Sequence, residues 1–336
     1  MGDLTLRKII ALGLFVLLLC TLWTAGWFWL AGEARTQVAL LAETDGETIP
    51  QLTCGAINTS GFPFRVDLEC RDATVRQADM TYRLDGLRAS VLAYNPTHVI
   101  YSARGPIEIA DAFTGSTARL EFAGFEGSAR VMSRDFWNGW RVARISMAAD
   151  ELRWIDTTTG DLARADADHV ELHLLDMPEI HDREAGLAGL ALYAQVEGLD
   201  LPLADVTGGR FSVEGELTGL PDDLTILAAD PDPVRNWQRR GGELRNIRIA
   251  GNQPDPDEDF EITGTVRLDD AGLADGDLTY RAKGVFDRLV GTVPPMELAA
   301  FRGMSQGEGY FGNTLAISGG AVRLLTYTLL QLPALF

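Results

Sequence analysis

Apolar and polar residues are distributed differently in an N-terminal segment and in the rest of the chain. From Ile9 to Gly32 there are 24 consecutive uncharged residues, preceded by Arg7 and Lys8. At 1.5 Å per residue, a helix of this length covers the ~30 Å hydrocarbon core of a bilayer. The pattern therefore predicts a transmembrane helix over residues 9–32.

The flanks of this segment predict its orientation. Arg7 and Lys8 favour a cytoplasmic tail over residues 1–8, and the aromatic residues between Trp23 and Trp29 are typical of the opposite membrane interface. A cleaved signal peptide is the alternative, because Ala31-Gly32-Glu33-Ala34 contains the small residues of a cleavage site. The apolar core of such a peptide is only ~7–15 residues long, however, so we expect the segment to be retained.

Beyond a connector at residues 33–50, expected to be partly helical, apolar and polar residues alternate with a period of two. The clearest runs lie at residues 78–84, 118–122, 211–218, 260–268 and 278–282. Alternation gives a strand one apolar and one solvated face, and successive strands without intervening helices favour an antiparallel sheet. The expected fold is mainly β, with one long, curled antiparallel sheet over residues 51–336.

Turns and helices interrupt this alternation at a few places. Gly208-Gly209 and Asp275-Gly276 are typical of turns between strands. Residues 233–240 and residues 285–302, the latter with a break at Pro294-Pro295, are predicted to be helical. About two short helical segments are therefore expected in the β-rich domain.

The apolar files of neighbouring strands should align into one stripe across the sheet. Two helical segments are few for covering some ten strands, so part of the stripe is expected to form an open groove. The candidate groove residues are Phe211, Val213, Leu217, Phe260, Ile262, Val266, Leu268, Leu278 and Tyr280. An open groove would suit lipid chains, whereas a closed core would suit a non-catalytic scaffold for other envelope proteins, and the sequence leaves both hypotheses open.

Charge and cysteine content restrict the partners and the compartment. The chain has 29 basic and 48 acidic residues, a net charge of −19, which argues against nucleic acid as a partner. Cys20 lies in the predicted span, whereas Cys54 and Cys70 are equidistant from Phe62 and would face each other directly across a hairpin centred there. A disulfide between them is expected in an oxidising compartment, and two buried free thiols are the alternative.

Candidate catalytic and metal-binding residues are few. His169, Glu171 and His173 would share one face of a strand and could ligate zinc, although an ordinary solvated strand face explains them better. The stretch from Gly303 to Gly307 matches the nucleophile-elbow pattern around Ser305, but a helical segment precedes it where a strand is required. The sequence thus predicts neither an enzyme nor a cofactor.

The most particular motif is Gly61-Phe62-Pro63-Phe64-Arg65, flanked by the two cysteines. Together with the single N-terminal span and the long β-rich remainder, it resembles an uncharacterised family of Gram-negative bacteria, domain of unknown function 2125. The layout is also similar to that of AsmA-like envelope proteins, whose curled sheets have an apolar inner face and are linked to lipid movement. With Arg7 and Lys8 on the cytoplasmic side, residues 33–336 are expected in the periplasm of a single-pass inner-membrane protein. The resemblance supplies no catalytic residues.

Overall fold

The computed structural model describes residues 2–47, 49–135, 138–228, 230–254, 257–291, 293–325 and 327–336. In these residues it has seventeen antiparallel strands, four α-helices and three short 3₁₀ helices. The fold is thus mainly β, as predicted. Contacts divide the chain into two compact units, residues 1–121 with 156–161 and residues 122–155 with 162–336.

The first unit consists of a long helix and a five-stranded meander. Its elements are α1 (Gly2–Leu41), β1 (Gln51–Ser60), β2 (Arg65–Gln77), β3 (Met80–Leu92), β4 (Asn95–Asp111) and β5 (Thr117–Glu121). Each strand pairs antiparallel with the next. Cys70 and Ala73 of β2 and Leu84 of β3 form a buried cluster.

Helix α1 is long and apolar enough over Lys8–Leu41 to cross a membrane, and it is the one such helix in the described part of the chain. A signal sequence satisfies the same criterion. The most apolar stretch of the helix is not buried by the rest of the protein. Because α1 continues without a break to Leu41, the first half of the expected connector is helical.

The disulfide between Cys54 and Cys70 is present, with their Cα atoms 5.3 Å apart, but the expected direct opposition is wrong. Cys54 lies opposite Ala73, and Cys70 lies opposite Ile57. The turn is centred between Pro63 and Phe64 instead of on Phe62, which displaces the register. Asp72 has a φ of 49° and interrupts the regular alternation of β2, so Cys70 and Ala73 join Cys54 in one apolar cluster.

The second unit contains the remaining elements. Its strands are β6 (Gly124–Asp135), β7 (Asn138–Asp156, the last residue belonging to the first unit), β8 (Leu162–Asp176), β9 (Leu187–Leu201), β10 (Val206–Pro221), β11 (Glu243–Gln253), β12 (Glu258–Leu268), β13 (Ala274–Lys283), β14 (Met304–Gly307), β15 (Tyr310–Ser318), β16 (Ala321–Leu324) and β17 (Tyr327–Gln331). From β8 to β13 each strand pairs with the next, and β13 then pairs with β15.

Both helical segments predicted in this unit are confirmed. Helix α3 (Pro233–Arg239) follows a further, unpredicted short helix α2 (Leu224–Ala228). The second segment consists of a 3₁₀ helix at Val285–Leu289 and α4 (Pro295–Arg302), so the helical structure is interrupted before the proline pair as expected. Two further 3₁₀ helices lie at Pro178–Ile180 and Pro202–Ala204.

The turns predicted from two glycine-containing dipeptides are wrong, because β10 and β13 run through them. The pairing of β10 with β9 shifts register on both sides of Gly209, so this glycine lies in an irregular stretch of the strand. At Gly276, with a φ of 153°, a Cβ atom would lie only 2.1 Å from the carbonyl oxygen of Thr265. Glycine is therefore needed there for close approach of two strands, not for a chain reversal.

Candidate functional site

The register of β10 to β13 aligns their apolar residues into rows across the sheet. One row runs through Val213, Ile249, Ile262 and Tyr280, and the next runs through Phe211, Gly251, Phe260 and Ala282. Cross-strand neighbours of this kind lie about 5 Å apart and can pack together. The apolar stripe expected from the alternation is therefore continuous over these four strands.

Helical segments cover one end of this stripe. Tyr280, Ala282 and Phe286 are buried together, packed against residues of α4 and of the adjoining strands. The hydroxyl of Tyr280 donates a hydrogen bond to the carbonyl oxygen of Phe301, and burial raises the pKa of this tyrosine. Over β13 the stripe consequently belongs to a closed core.

The other end of the stripe contains an apolar cleft of about 420 Å³. It lies where β9, β10, β11 and β12 meet the two 3₁₀ helices at 202–204 and 285–289. Its apolar wall is formed by Leu199, Leu201, Val206, Phe211, Phe260 and Val285. The rings of Phe211 and Phe260 lie 6.4 Å apart, and Gly251 lies between the two residues in the register. A Cβ at Gly251 would be 2.4 Å from the Phe260 ring, so the glycine makes room for that side chain.

Charged residues form the polar edge of the cleft. The guanidinium of Arg288 contacts the nearly buried carboxylate of Glu258 at 2.6 Å and donates a hydrogen bond to the carbonyl oxygen of Asp205 at 2.8 Å. Arg210 also lines the cleft, its side chain is 60% exposed, and it lies 3.3 Å from Glu197. Arg288 thus fixes the wall of the cleft, whereas most of the Arg210 side chain remains accessible to solvent.

The predicted groove residues are divided between the cleft and the sheet core. Phe211 and Phe260 line the cleft, whereas Leu268 and Tyr280 are buried. The other candidates lie half-buried along the strands, outside the cleft lining: Val213, Leu217, Ile262, Val266 and Leu278.

Sequence reasoning missed the contribution of β9 to the cleft. Leu190, Leu192 and Val196 follow the period of two, but Leu199 and Leu201 are out of phase with them. Gly198, with a φ of 61°, accounts for the change of phase, since Val196 pairs with Phe211 and Leu199 pairs with Gly209. An alternation that resumes one position later after a glycine is the signal that would have identified these residues.

The weak zinc candidates lie together on one side of β8, but their polar atoms contact neighbouring side chains. His169 Nδ1 lies 2.6 Å from Asp150, and His173 contacts Ser146 at 2.9 Å and Glu171 at 3.1 Å. The hydrogen bond to Asp150 raises the pKa of His169. Among the described residues, no group of three or more His, Cys, Asp or Glu side chains is arranged to hold a metal ion. Ser305 lies in β14, directly after α4, so the order of helix and strand is the reverse of that in a nucleophile elbow.

The motif of residues 61–65 forms the turn between β1 and β2 and packs against α1. The indole N–H of Trp23 donates to the carbonyl oxygen of Pro63 at 2.9 Å, and that of Trp27 donates to the carbonyl oxygen of Arg65 at 2.7 Å. The ring of Phe62 contacts Trp27 edge to face, with centroids 5.4 Å apart. These contacts connect the most particular motif of the sequence to the apolar helix.

A buried carboxylate lies at the base of this turn. The side chain of Asp67 is 3% exposed and lies 2.9 Å from Arg65 and 3.1 Å from Arg88. Ser90 donates a further hydrogen bond to the same carboxylate at 2.7 Å. Two arginines and a hydroxyl thus compensate the desolvation of one carboxylate, which would be costly alone.

A comparison with protein families identifies the family of this chain. The profile of domain of unknown function 2125, an uncharacterized protein conserved in bacteria, matches residues 27–333. The chain belongs to this family. The matched region of the DUF2125 protein includes Trp27, the 61–65 turn, the disulfide and the cleft. No curated protein and no solved structure matches the chain.

Proposed function

We propose that this DUF2125 protein is anchored in the bacterial inner membrane by α1 and binds the acyl chain of a lipid in the cleft of its periplasmic β-rich part. The apolar cleft beside Phe211 and Phe260 is the observation that carries the proposal. Its volume lies within the range of roughly 300–1,000 Å³ that is usual for sites of small ligands. Walls built from aliphatic and aromatic side chains suit a hydrocarbon chain.

The charge at the edge of the cleft indicates which class of lipid head group would fit there. Arg210 lines the cleft beside the apolar wall, its side chain is 60% exposed and its guanidinium lies 3.3 Å from Glu197, in a protein whose net charge is −19. A guanidinium binds carboxylate and phosphate oxygens with good geometry. A ligand with an apolar tail and an acidic head group, such as a fatty acid or an anionic phospholipid, therefore fits this arrangement.

Two features support the proposed location. Helix α1 has the length and composition of a membrane span, and Arg7 and Lys8 precede its uncharged run. The Cys54–Cys70 disulfide favours an oxidising compartment, as the periplasm is for bacteria. Retention of α1 in the mature protein is tested by N-terminal sequencing, and a new terminus near Glu33 would contradict the anchoring.

Two leucines two residues apart provide a matched pair for testing the cleft. Leu201 lines it, whereas Leu203 is 80% exposed in the adjoining 3₁₀ helix and does not. We expect Leu201→Arg to abolish binding of a fluorescent fatty acid to the full chain in detergent and Leu203→Arg to leave it unchanged. If both variants bind the fatty acid equally well, and both have the melting temperature of the original chain, the cleft is excluded as the binding site.

A non-catalytic scaffold is the second candidate function, favoured by the closed part of the stripe under α4. In that case the cleft is a packing irregularity, and the unchanged protein should not retain fatty acids or phospholipids. Mass spectrometry of organic extracts from the purified full chain distinguishes the scaffold function from the lipid-binding function. A lipid present in stoichiometric amount, and lost in Leu201→Arg but not in Leu203→Arg, supports the binding function.

A further inference from the structure

We propose that the 61–65 turn is a second membrane contact, inserted into the outer side of the same bilayer that α1 crosses, with Phe62 and Phe64 in contact with lipid. This inference rests on the proposed anchoring by α1. The 61–65 turn lies in the first unit of the protein, on a different surface from the cleft. The starting observation is the pair of hydrogen bonds from Trp23 and Trp27 to the turn.

The position of Trp23 along α1 sets the depth of the turn. Trp23 precedes Gly32, the end of the uncharged run, by nine residues. The run of 24 residues is slightly longer than the ~20 residues that a bilayer core requires, so Trp23 lies about 7–13 Å inside the hydrocarbon boundary of an upright helix. The carbonyl of Pro63, bonded to Trp23, must then lie at a similar depth.

The backbone of the turn is suited to the hydrocarbon region of a bilayer, where carbonyl groups without a hydrogen-bond donor are costly. The carbonyl oxygens of Pro63 and Arg65 accept the two indole N–H groups. The carbonyl oxygen of Gly61 accepts the N–H of Arg65 at 3.1 Å, and that of Phe64 accepts the N–H of Ala93 at 2.9 Å. Proline at position 63 has no N–H group to satisfy.

The side chains at this end of the first unit are apolar and exposed. Phe62 is 51% exposed, Phe64 is 63% exposed, and Tyr94, in the neighbouring turn between β3 and β4, is 68% exposed. Exposed aromatic rings beside a predicted span are typical of membrane interfaces. Arg65 lies at the level of Trp27, nearer the boundary, where its long side chain can reach lipid phosphate groups.

The distribution of acidic residues agrees with this placement. Although the chain has 48 acidic residues, residues 51–66 and 89–107 contain none, and these segments include both turns at this end of the unit. Acidic side chains would be repelled by anionic head groups and would be costly in hydrocarbon. The opposite end of the same strands carries Asp79 and Asp111.

Fluorescence quenching tests the depth of the turn. The full chain, with Cys20→Ala as background, is labelled with an environment-sensitive fluorophore at Phe64→Cys and reconstituted into phosphatidylcholine–phosphatidylglycerol vesicles. Phe113→Cys is the matched control, since Phe113 is an 85% exposed phenylalanine in the turn after β4, at the far end of the strands. Doxyl groups attached to the lipid tails should remove most of the emission at position 64 and leave that at position 113 unchanged.

Flotation of the same vesicles separates failure of this inference from failure of the anchoring. A chain that floats with the vesicles but shows equal, weak quenching at both positions overturns the membrane contact and leaves the anchor intact. A chain that does not float overturns both. Because the vesicles contain no other protein, quenching at position 64 cannot come from a protein partner. A melting temperature equal to that of the Cys20→Ala background shows that the labelled variant has folded.

Discussion

Cys54 and Cys70 are joined by a disulfide, although Cys54 lies opposite Ala73 in the hairpin and not opposite Cys70. The bridge therefore connects β1 and β2 obliquely, next to Asp72, where the alternation of β2 is interrupted. Cys70 belongs to the buried cluster of the first unit, and the partly buried Cys54 packs against that cluster. The disulfide stabilises the irregular part of this hairpin, where regular cross-strand pairing is interrupted.

Replacing both cysteines by alanine should lower the free energy of unfolding of the first unit by about 3 kcal/mol, the chain-entropy value for a loop of this size. The measurement is denaturant unfolding of the full chain in detergent. Cys20→Ala is the control and should have no effect, since Cys20 lies exposed on α1 outside the fold. An unchanged unfolding midpoint in the double variant would contradict the stabilising role.

Gly61→Ala should destabilise the 61–65 turn. Gly61 has a φ of 100°, and a Cβ atom there would lie 2.7 Å from the carbonyl oxygen of Arg65. We expect a loss of about 1–3 kcal/mol, measured by the same unfolding assay. Gly115→Ala is the matched control for Gly61→Ala. Gly115 also has a positive φ, of 73°, but a Cβ atom there would meet no atom within 4 Å. If both variants lose equal stability, the close contact at Gly61 contributes nothing.

The hydrogen bond between His169 and Asp150 should make stability dependent on pH. Since the folded pKa of His169 is raised above its ordinary value near 6.5, the stabilisation is fully present below that value and is lost as the pH rises through the raised pKa. Asp150→Asn should therefore lower the melting temperature at pH 5.5 more than at pH 9. A histidine resonance titrating no higher than that of a model peptide would contradict this prediction.

Tyr280→Phe should cost about 1 kcal/mol, because it removes the hydrogen bond to the carbonyl of Phe301 and leaves the packing of the ring unchanged. Tyr327→Phe serves as control, since Tyr327 is 51% exposed. Thermal melting of the full chain measures the difference. A larger decrease in melting temperature for Tyr327→Phe than for Tyr280→Phe would show that the hydrogen bond of Tyr280 does not stabilise the closed end of the stripe.

The arrangement of strands follows closely from the sequence, whereas the cleft does so only in part. Alternation at 211–218 and 260–268 predicts β10 and β12, because a period of two is a local property of the chain. The contribution of Leu199 and Leu201 to the cleft could not be seen in the sequence, because the bulge at Gly198 shifts the alternation of β9 by one position. Only the pairing of β9 with β10 reveals this shift. The oblique position of the disulfide was hidden for a different reason: the register of β1 and β2 depends on where their turn is centred, which the spacing of the two cysteines does not reveal.

The docking of the 61–65 turn on α1 could not be predicted from local patterns either. Trp23 and Trp27 are separated from Pro63 and Arg65 by about 40 residues, and an indole N–H that finds a distant carbonyl leaves no periodic signal. The aromatic residues of α1 alone are explained equally well by a lipid interface. Only the three-dimensional arrangement shows that they also hold the hairpin.

The continuous helix of α1 has a consequence for motion. Helix α1 runs unbroken to Leu41 and contacts the hairpin at Trp23, at Trp27 and at Arg35, which donates a hydrogen bond to Thr59. The helix and the hairpin are therefore connected at three points along α1, without a flexible joint between them. A protein on a flexible linker samples many tilts and heights above its bilayer. With α1 as the proposed anchor, the hairpin can tilt relative to the bilayer only together with the helix.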